Sequence, residues 1–384
     1  MIPKDWDVVV LGKYSEISRG GSPRPIQDYL TSSCRGINWI KIGDVSKSSK
    51  YIFSAAEKII PEGVSKSRTV FCGDLILSNS MSFGRPYILK IDGCIHDGWL
   101  VIQNYQSAFD KEYLYYCLGS EFTIQQYISM AAGSSVQNLN KDKVSAVIIA
   151  KPPIQEQVAI AEALSDVDSL ISSLQKLIEK KKAIKRGAMR ELLTGKKRLP
   201  GFSGEWSNLR IEEIANLHDN LRVPVEKSMR EKGNIPYYGA NGIQDYVNGY
   251  THNGSYVLIA EDGANDLQEY PIRYASGKMW VNNHVHVLDG KNSVSDTRFL
   301  SYSMSTIDYQ AAITGGTRAK LNGHILMQLA LDLPPLAEQQ AIAQVLSDMD
   351  SEIEQLKKKL SKYQQIKQGM MQELFTGRIR ITNY

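Results

Sequence analysis

The chain has 384 residues, more than one hydrophobic core usually supports, so two or more domains are expected. Its 42% hydrophobic and 22% charged content is ordinary for a soluble globular protein. With 45 basic and 41 acidic residues the net charge is only +4, which does not mark a nucleic-acid binder; any basic surface must come from local clustering. No run of about 18 apolar residues occurs, and the N-terminus lacks the basic and apolar regions of a signal peptide. The cysteines (Cys34, Cys72, Cys94, Cys117) all lie in the first third without a CxxC pair, against paired-cysteine zinc or a disulfide framework. Free thiols and a cytoplasmic location are expected.

A first globule opens at Trp6 in "DWDVVVLGKYSEI". Short strands such as "NWIKI" from Asn38 and "DLILS" from Asp74 follow, separated by glycine-rich turns. One helix is predicted over "KEYLYYCLGSEFTIQQYISMA", then the glycine loop "GSSVQNLNK", then a strand running into Pro152-Pro153. These prolines mark a helix start, and Thr194-Gly195 sits where a glycine cap would end it. About 40 residues between those marks make a helix of about 60 Å, long for a globular domain and suited to a strut.

A second globule opens at Trp206 in "EWSNLRIEEIANL". It has strands "SYVLIA" from Ser255 and "HVHVL" from His284, a predicted helix over "TRFLSYSMSTIDYQAAI", and the loop "GGTRAK" before Pro334-Pro335. From Pro334 the first helix is written again. An ungapped offset of 182 pairs Pro152–Gly195 with Pro334–Gly377, and 24 of the 44 positions are identical. The order is therefore globule, strut, globule, strut. The reading gives residues 1–150 and 199–332 as α+β globules and 151–198 and 333–384 as helical regions.

Both helices carry an apolar stripe stepping alternately by three and four. In the first it is Leu164, Val167, Ile171, Leu174 and Ile178, weakening at Lys181 and Lys185, whose stems can still lie along a seam. In the second it is Leu346, Met349, Ile353, Leu356 and Leu360. The simplest partner for each stripe is the other copy, giving an intramolecular antiparallel coiled coil with pseudo-two-fold symmetry. A second column (Leu170, Leu177, Ile184) adjoins the first seam and reads either as a wider seam or as a docking face. The basic runs Lys180–Arg190 and Lys357–Lys362 read as solvated helix faces, the more usual explanation, or as a surface near spacer DNA.

Repeating a rigid element while varying what it carries suits two unlike readers held at a set spacing, as on two DNA half-sites. The segments "PPIQEQVAIAEALSDVDSLI…ELLTG" and "PPLAEQQAIAQVLSDMDSEI…ELFTG" each follow a globule that opens near a Trp and closes on "GSS…NLN…PP" or "GGT…LN…PP". With that context the chain resembles the specificity subunit of type I restriction–modification systems over nearly its whole length. The resemblance implies two target-recognition domains reading a bipartite, gapped DNA sequence. It also implies assembly with two modification (methyltransferase) subunits, with or without restriction subunits. The prolines read "KPPI" and "DLPPL", without the Asn/Asp and aromatic of an adenine methyltransferase loop, and no GxxxxGK[S/T] phosphate loop occurs. A non-catalytic subunit is expected, with no cofactor in this chain and with AdoMet, ATP and Mg belonging to partners. The alternative is a coiled-coil scaffold whose globules bind proteins.

DNA contacts require Lys, Arg, Asn, Gln, Ser and backbone amides on loops. In the first globule the candidates are Arg19, Ser22 and Arg24; Asn79, Ser80 and Arg85; and Ser134, Ser135, Gln137 and Lys141. In the second they are Asn220 and Arg222; Tyr238 and Asn241; Asn265, in a loop that also holds Asp262; and Thr317, Arg318 and Lys320. His284 and His286, two apart, are read as packed or solvent-facing histidines with no metal.

Overall fold

The computed structural model describes residues 2–45, 49–79, 84–131, 139–266, 268–310, 312–313 and 320–381. It divides into two compact units, Met1–Leu174 with Lys359–Tyr384, and Gln175–Lys358. Both are α+β, and each contains half of each long helix, because Ile154–Leu192 and Leu336–Phe375 are cut near their middles by this division. Among the described residues no helix is long and apolar enough to cross a membrane.

In the first unit, strand Asp7–Val10 pairs antiparallel with Ile148–Lys151, so the globule's first strand closes on its last one, immediately before Pro152. A five-stranded sheet follows the order Glu16–Arg19, Trp99–Gln103, Leu75–Ser78, Pro86–Leu89, Tyr51–Ile52. A four-stranded one runs Glu57–Ile59, Ile37–Ile40, Gly93–Ile95, Arg68–Val70. Leu75–Ser78 and Pro86–Leu89 are buried at every position, which explains their unbroken apolar sequence. The second unit repeats the closure with Ser207–Arg210 on Ala330–Leu333. Its six-stranded sheet has the order Ala215–Leu217, Val285–Gly290, His252–Ala260, Ile272–Val281, Lys232–Gly239, Gly242–Val247.

Two predicted helices are shorter than their sequences imply. The first breaks into Lys111–Leu118 and Glu121–Ala131, because the Ser120 hydroxyl accepts from Thr123 N and starts a new helix after Gly119. The second ends at Met304, where Ser305 and Thr306 hydroxyls turn back onto the carbonyls of Tyr302 and Ser303.

Each long helix is fastened at its start by the same side chains. Gln157 accepts from the Asp110 amide (2.9 Å) and donates to the Pro152 and Ala108 carbonyls; Gln339 does the same with Asp296, Pro334 and Val294. Asp110 and Asp296 in turn cap the helices Lys111–Leu118 and Thr297–Met304. Glu156, 5% exposed, accepts from the Trp6 indole (2.9 Å) and the Arg380 guanidinium (2.6 and 2.8 Å). Glu338, fully buried, is gripped by Arg198 (2.6 and 2.5 Å). Thus the glutamate that opens one helix is neutralised by the arginine that follows the end of the other, in both units.

Further along, Asp168 accepts from Tyr116 (2.8 Å) and pairs with Lys367 (2.6 Å). Asp350 accepts from Tyr302 (2.7 Å) and pairs with Lys185 (2.5 Å). Lys181 pairs with Glu352 at 2.6 Å. Contacts such as 156 with 380 and 168 with 367 mean that within a unit the two helical segments run in opposite senses. Of the stripe residues, Leu164, Leu174, Ile178, Leu346 and Ile353 are buried, whereas Val167, Ile171, Met349, Leu356 and Leu360 are half-buried. In the second column Leu177 and Ile184 are exposed.

Candidate nucleic-acid interface

In the first unit, two candidate loops meet on one aspartate. Asp97 lies in "HDG" between strands Gly93–Ile95 and Trp99–Gln103. Its backbone carbonyl accepts from Arg19 Nε (3.0 Å) and Asn79 Nδ2 (2.8 Å). Its carboxylate takes the Ser22 hydroxyl (3.1 Å), His96 Nε2 (2.8 Å) and, more loosely, Arg24 Nη2 (3.7 Å). Arg19 is exposed and the Arg24 side chain is 83% exposed, so both present charge outward. Asn79 is 2% exposed and serves as an anchor for its loop; its carbonyl accepts from Leu139 N, next to the Asn140 cap of helix Lys141–Ser145. Lys141 is exposed at that helix start, and Arg85 lies over the Tyr87 ring at 5.5 Å.

The second unit builds a denser node. Arg222 donates to Glu261 Oε2 (2.6 Å), lies 3.2 Å from Asp219 Oδ2, and donates to the Val285 carbonyl (2.9 Å). Lys320 Nζ reaches Glu261 Oε1 at 2.9 Å. His286, 1% exposed, places Nδ1 2.5 Å from Asp219 Oδ2, while its Nε2–H donates to the Leu321 carbonyl (2.7 Å). Leu321 N donates to the Glu261 carbonyl (2.7 Å), and the backbones of Asp262 and Lys320 form an isolated antiparallel β-bridge. Burial pushes the Glu261 carboxyl upward, but Lys320, Arg222 and His286 outweigh it and hold it below the usual carboxylate range. Glu261 in return raises the Lys320 ammonium.

Asp219, Glu261 and His286 could supply three metal ligands, their ligand atoms lying within 4.8 Å of one another. In this structure Arg222 and Lys320 lie against the two carboxylates, and both His286 nitrogens have partners, so the three residues sit within a network of polar and charged contacts. His284 turns elsewhere, to Asp262 at 2.5 Å.

Three of the four candidate loops in this unit therefore share one node, and the fourth is stapled beside it. Asn241 Nδ2 donates to the Gly263 carbonyl (2.9 Å), and its Oδ1 accepts from Asn265 N (3.0 Å). Asn220, Asn241 and Asn265 are exposed, Tyr238 is half-buried, and the Arg222 side chain is only 15% exposed. Ser80, Ser134, Ser135, Gln137, Thr317 and Arg318 lie outside the described residues.

Sequence reasoning looked for donors and missed the acceptors that organise them: Asp97, Asp219 and Glu261. A signal existed. Both "HDG" at His96 and "EDG" at Glu261 place an acid-glycine turn at the end of a strand.

A family model for the type I restriction modification DNA specificity domain matches residues 3–186 and again 203–367. A Haemophilus influenzae protein, provisionally named a type I restriction enzyme specificity subunit, is 48% identical over 150 residues, which is 39% of this chain and 38% of that protein. The type I restriction enzyme MjaVIII specificity subunit of Methanocaldococcus jannaschii is 23% identical over 430 aligned residues, spanning 100% of this chain and 95% of its own. Among solved structures, the type I restriction-modification S subunit from M. genitalium matches in fold with a TM-score of 0.66 at 16% identity, over 97% of this chain and 96% of that one.

Proposed function

Because the chain belongs to the type I restriction modification DNA specificity domain family, we propose that it reads a bipartite, gapped DNA target, one half-site per globule. The observation that carries this reading is the division between what is repeated and what is not. The helix fasteners recur at one offset (Glu156 and Glu338, Gln157 and Gln339, Asp168 and Asp350), while the loops gathered on Asp97 and on Glu261 differ in sequence apart from an Asp-Gly turn and a Leu-Asn pair. Constant parts suit a constant partner and variable parts suit two different half-sites.

In this reading residues 1–150 and 199–332 are the target-recognition domains, and 151–198 and 333–384 the helical regions. The helices form an intramolecular antiparallel coiled coil with pseudo-two-fold symmetry, supported by the opposed ion pairs within each unit. Two modification subunits dock on the helical regions, with restriction subunits joining some assemblies. Arg19, Arg24, Lys141, Asn220, Asn241 and Asn265 are the contacts best exposed for DNA. The chain carries no catalytic group for methyl transfer, AdoMet, ATP and Mg belong to partner subunits, and the complex works in the cytoplasm.

The test is methyl transfer from labelled AdoMet to duplex DNA. The purified chain alone should transfer nothing above background, and adding its modification subunit should produce sequence-dependent methylation. Transfer by the single chain would overturn the reading.

A further inference from the structure

We propose that Glu261, with Asp219 behind it, is a specificity-determining positioning residue for the half-site read by the second globule. It holds basic and amide side chains in register without touching DNA itself. The inference rests on the DNA-reading function proposed above and names a part of it that the donor residues do not.

An acidic side chain among DNA-facing loops is unfavourable unless it has another task, since it repels phosphates. Glu261 is spent entirely inside the protein. Its side chain is 12% exposed, one carboxylate oxygen takes Arg222 and the other Lys320, while its backbone carbonyl takes Leu321 N. Arg222, which by residue type looks like a base reader, is itself consumed by Asp219, Glu261 and the Val285 carbonyl. The turn at Asp219–Leu221 therefore cannot move independently of Glu261, nor can the segment at Lys320 and Leu321. His286 adds a second tie between the same two segments, through Asp219 Oδ2 and the Leu321 carbonyl. Asn220 and Lys320 emerge from these held segments. Base discrimination needs donors fixed to fractions of an ångström, and loops reach that only when their bases are locked.

The experiment is sequencing of methylated motifs in cells that express the full chain with its modification subunit. E261Q keeps the size of the side chain and removes the charge that binds Arg222 and Lys320. The expected result is relaxed preference in one half of the motif, with discrimination there falling about 10- to 100-fold and the other half unaltered. A bystander Glu261 predicts the opposite, an unaltered motif with slightly tighter binding to any DNA, and that outcome overturns the proposal. Loss of all methylation by a soluble, assembled complex also overturns it, because Glu261 would then support the unit as a whole.

If E261Q does not accumulate, K320M at the exposed end of the pair is judged in its place, with K320R expected to restore the motif. Uniform weakening by K320M without a motif change would mean a plain phosphate contact, against the proposal. Should the unaltered chain give no bipartite motif at all, the reading of function fails instead.

Discussion

Replacing Arg198 with alanine is expected to lower the melting temperature of the second unit by about 5–10 °C. The Glu338 carboxylate is fully buried, and Arg198 is its charge partner through two hydrogen bonds. Removing one member of a buried pair leaves the other desolvated and unopposed, which costs far more than the pair itself contributes. The equivalent change of Arg380 should do less. Glu156 would keep the Trp6 indole N–H at 2.9 Å, whereas the Trp206 indole nitrogen has no hydrogen-bond partner among the described residues. Calorimetry on both variants checks the order. Equal shifts, or none for R198A, would mean that the glutamate finds water or another partner.

A second large effect is expected along the helix stripe, and it should be uneven. Leu346→Ala should destabilise by about 3–4 kcal/mol and Leu360→Ala by about 1 kcal/mol, although both occupy the same kind of heptad position. Leu346 is fully buried and belongs to the core cluster of the second globule, with Phe299, Leu300 and Ile342 around it in that cluster. Leu360 lies mid-helix and is half-buried. Leu164 should behave like Leu346, being fully buried in the cluster that holds Tyr113 and Leu114. Urea titration reads these costs directly. Equal losses at all four-residue steps would contradict the view that burial is concentrated where helix meets globule.

The two long helices were legible because their signals are local. Double prolines sit directly before Ile154 and Leu336, and Gly195 and Gly377 take the positive φ (+68° and +67°) of a helix stop. Where the apolar stripe weakens, Lys181 and Lys185 pair with Glu352 and Asp350, which a list of apolar positions cannot reveal. The strand closures Asp7–Val10 with Ile148–Lys151 and Ser207–Arg210 with Ala330–Leu333 were hidden because antiparallel partners lie far apart in the chain.

The same distance concealed the acidic nodes. Ser22 finds Asp97 across 75 residues, and His286 finds Asp219 across 67. Residue type names the donors in a loop, but only the fold shows which are free. Hence Arg24 is outward while Arg222, equally basic in sequence, is held inside.

Whether two independent readers sit on one repeated frame is tested most directly by the methylated motif after a domain exchange. Residues 1–150 are replaced by those of a relative with a different target, and methylation is mapped in cells carrying the partner subunit. One half of the motif is expected to change while the other half stays as it was. A change in both halves, or in neither, would contradict it.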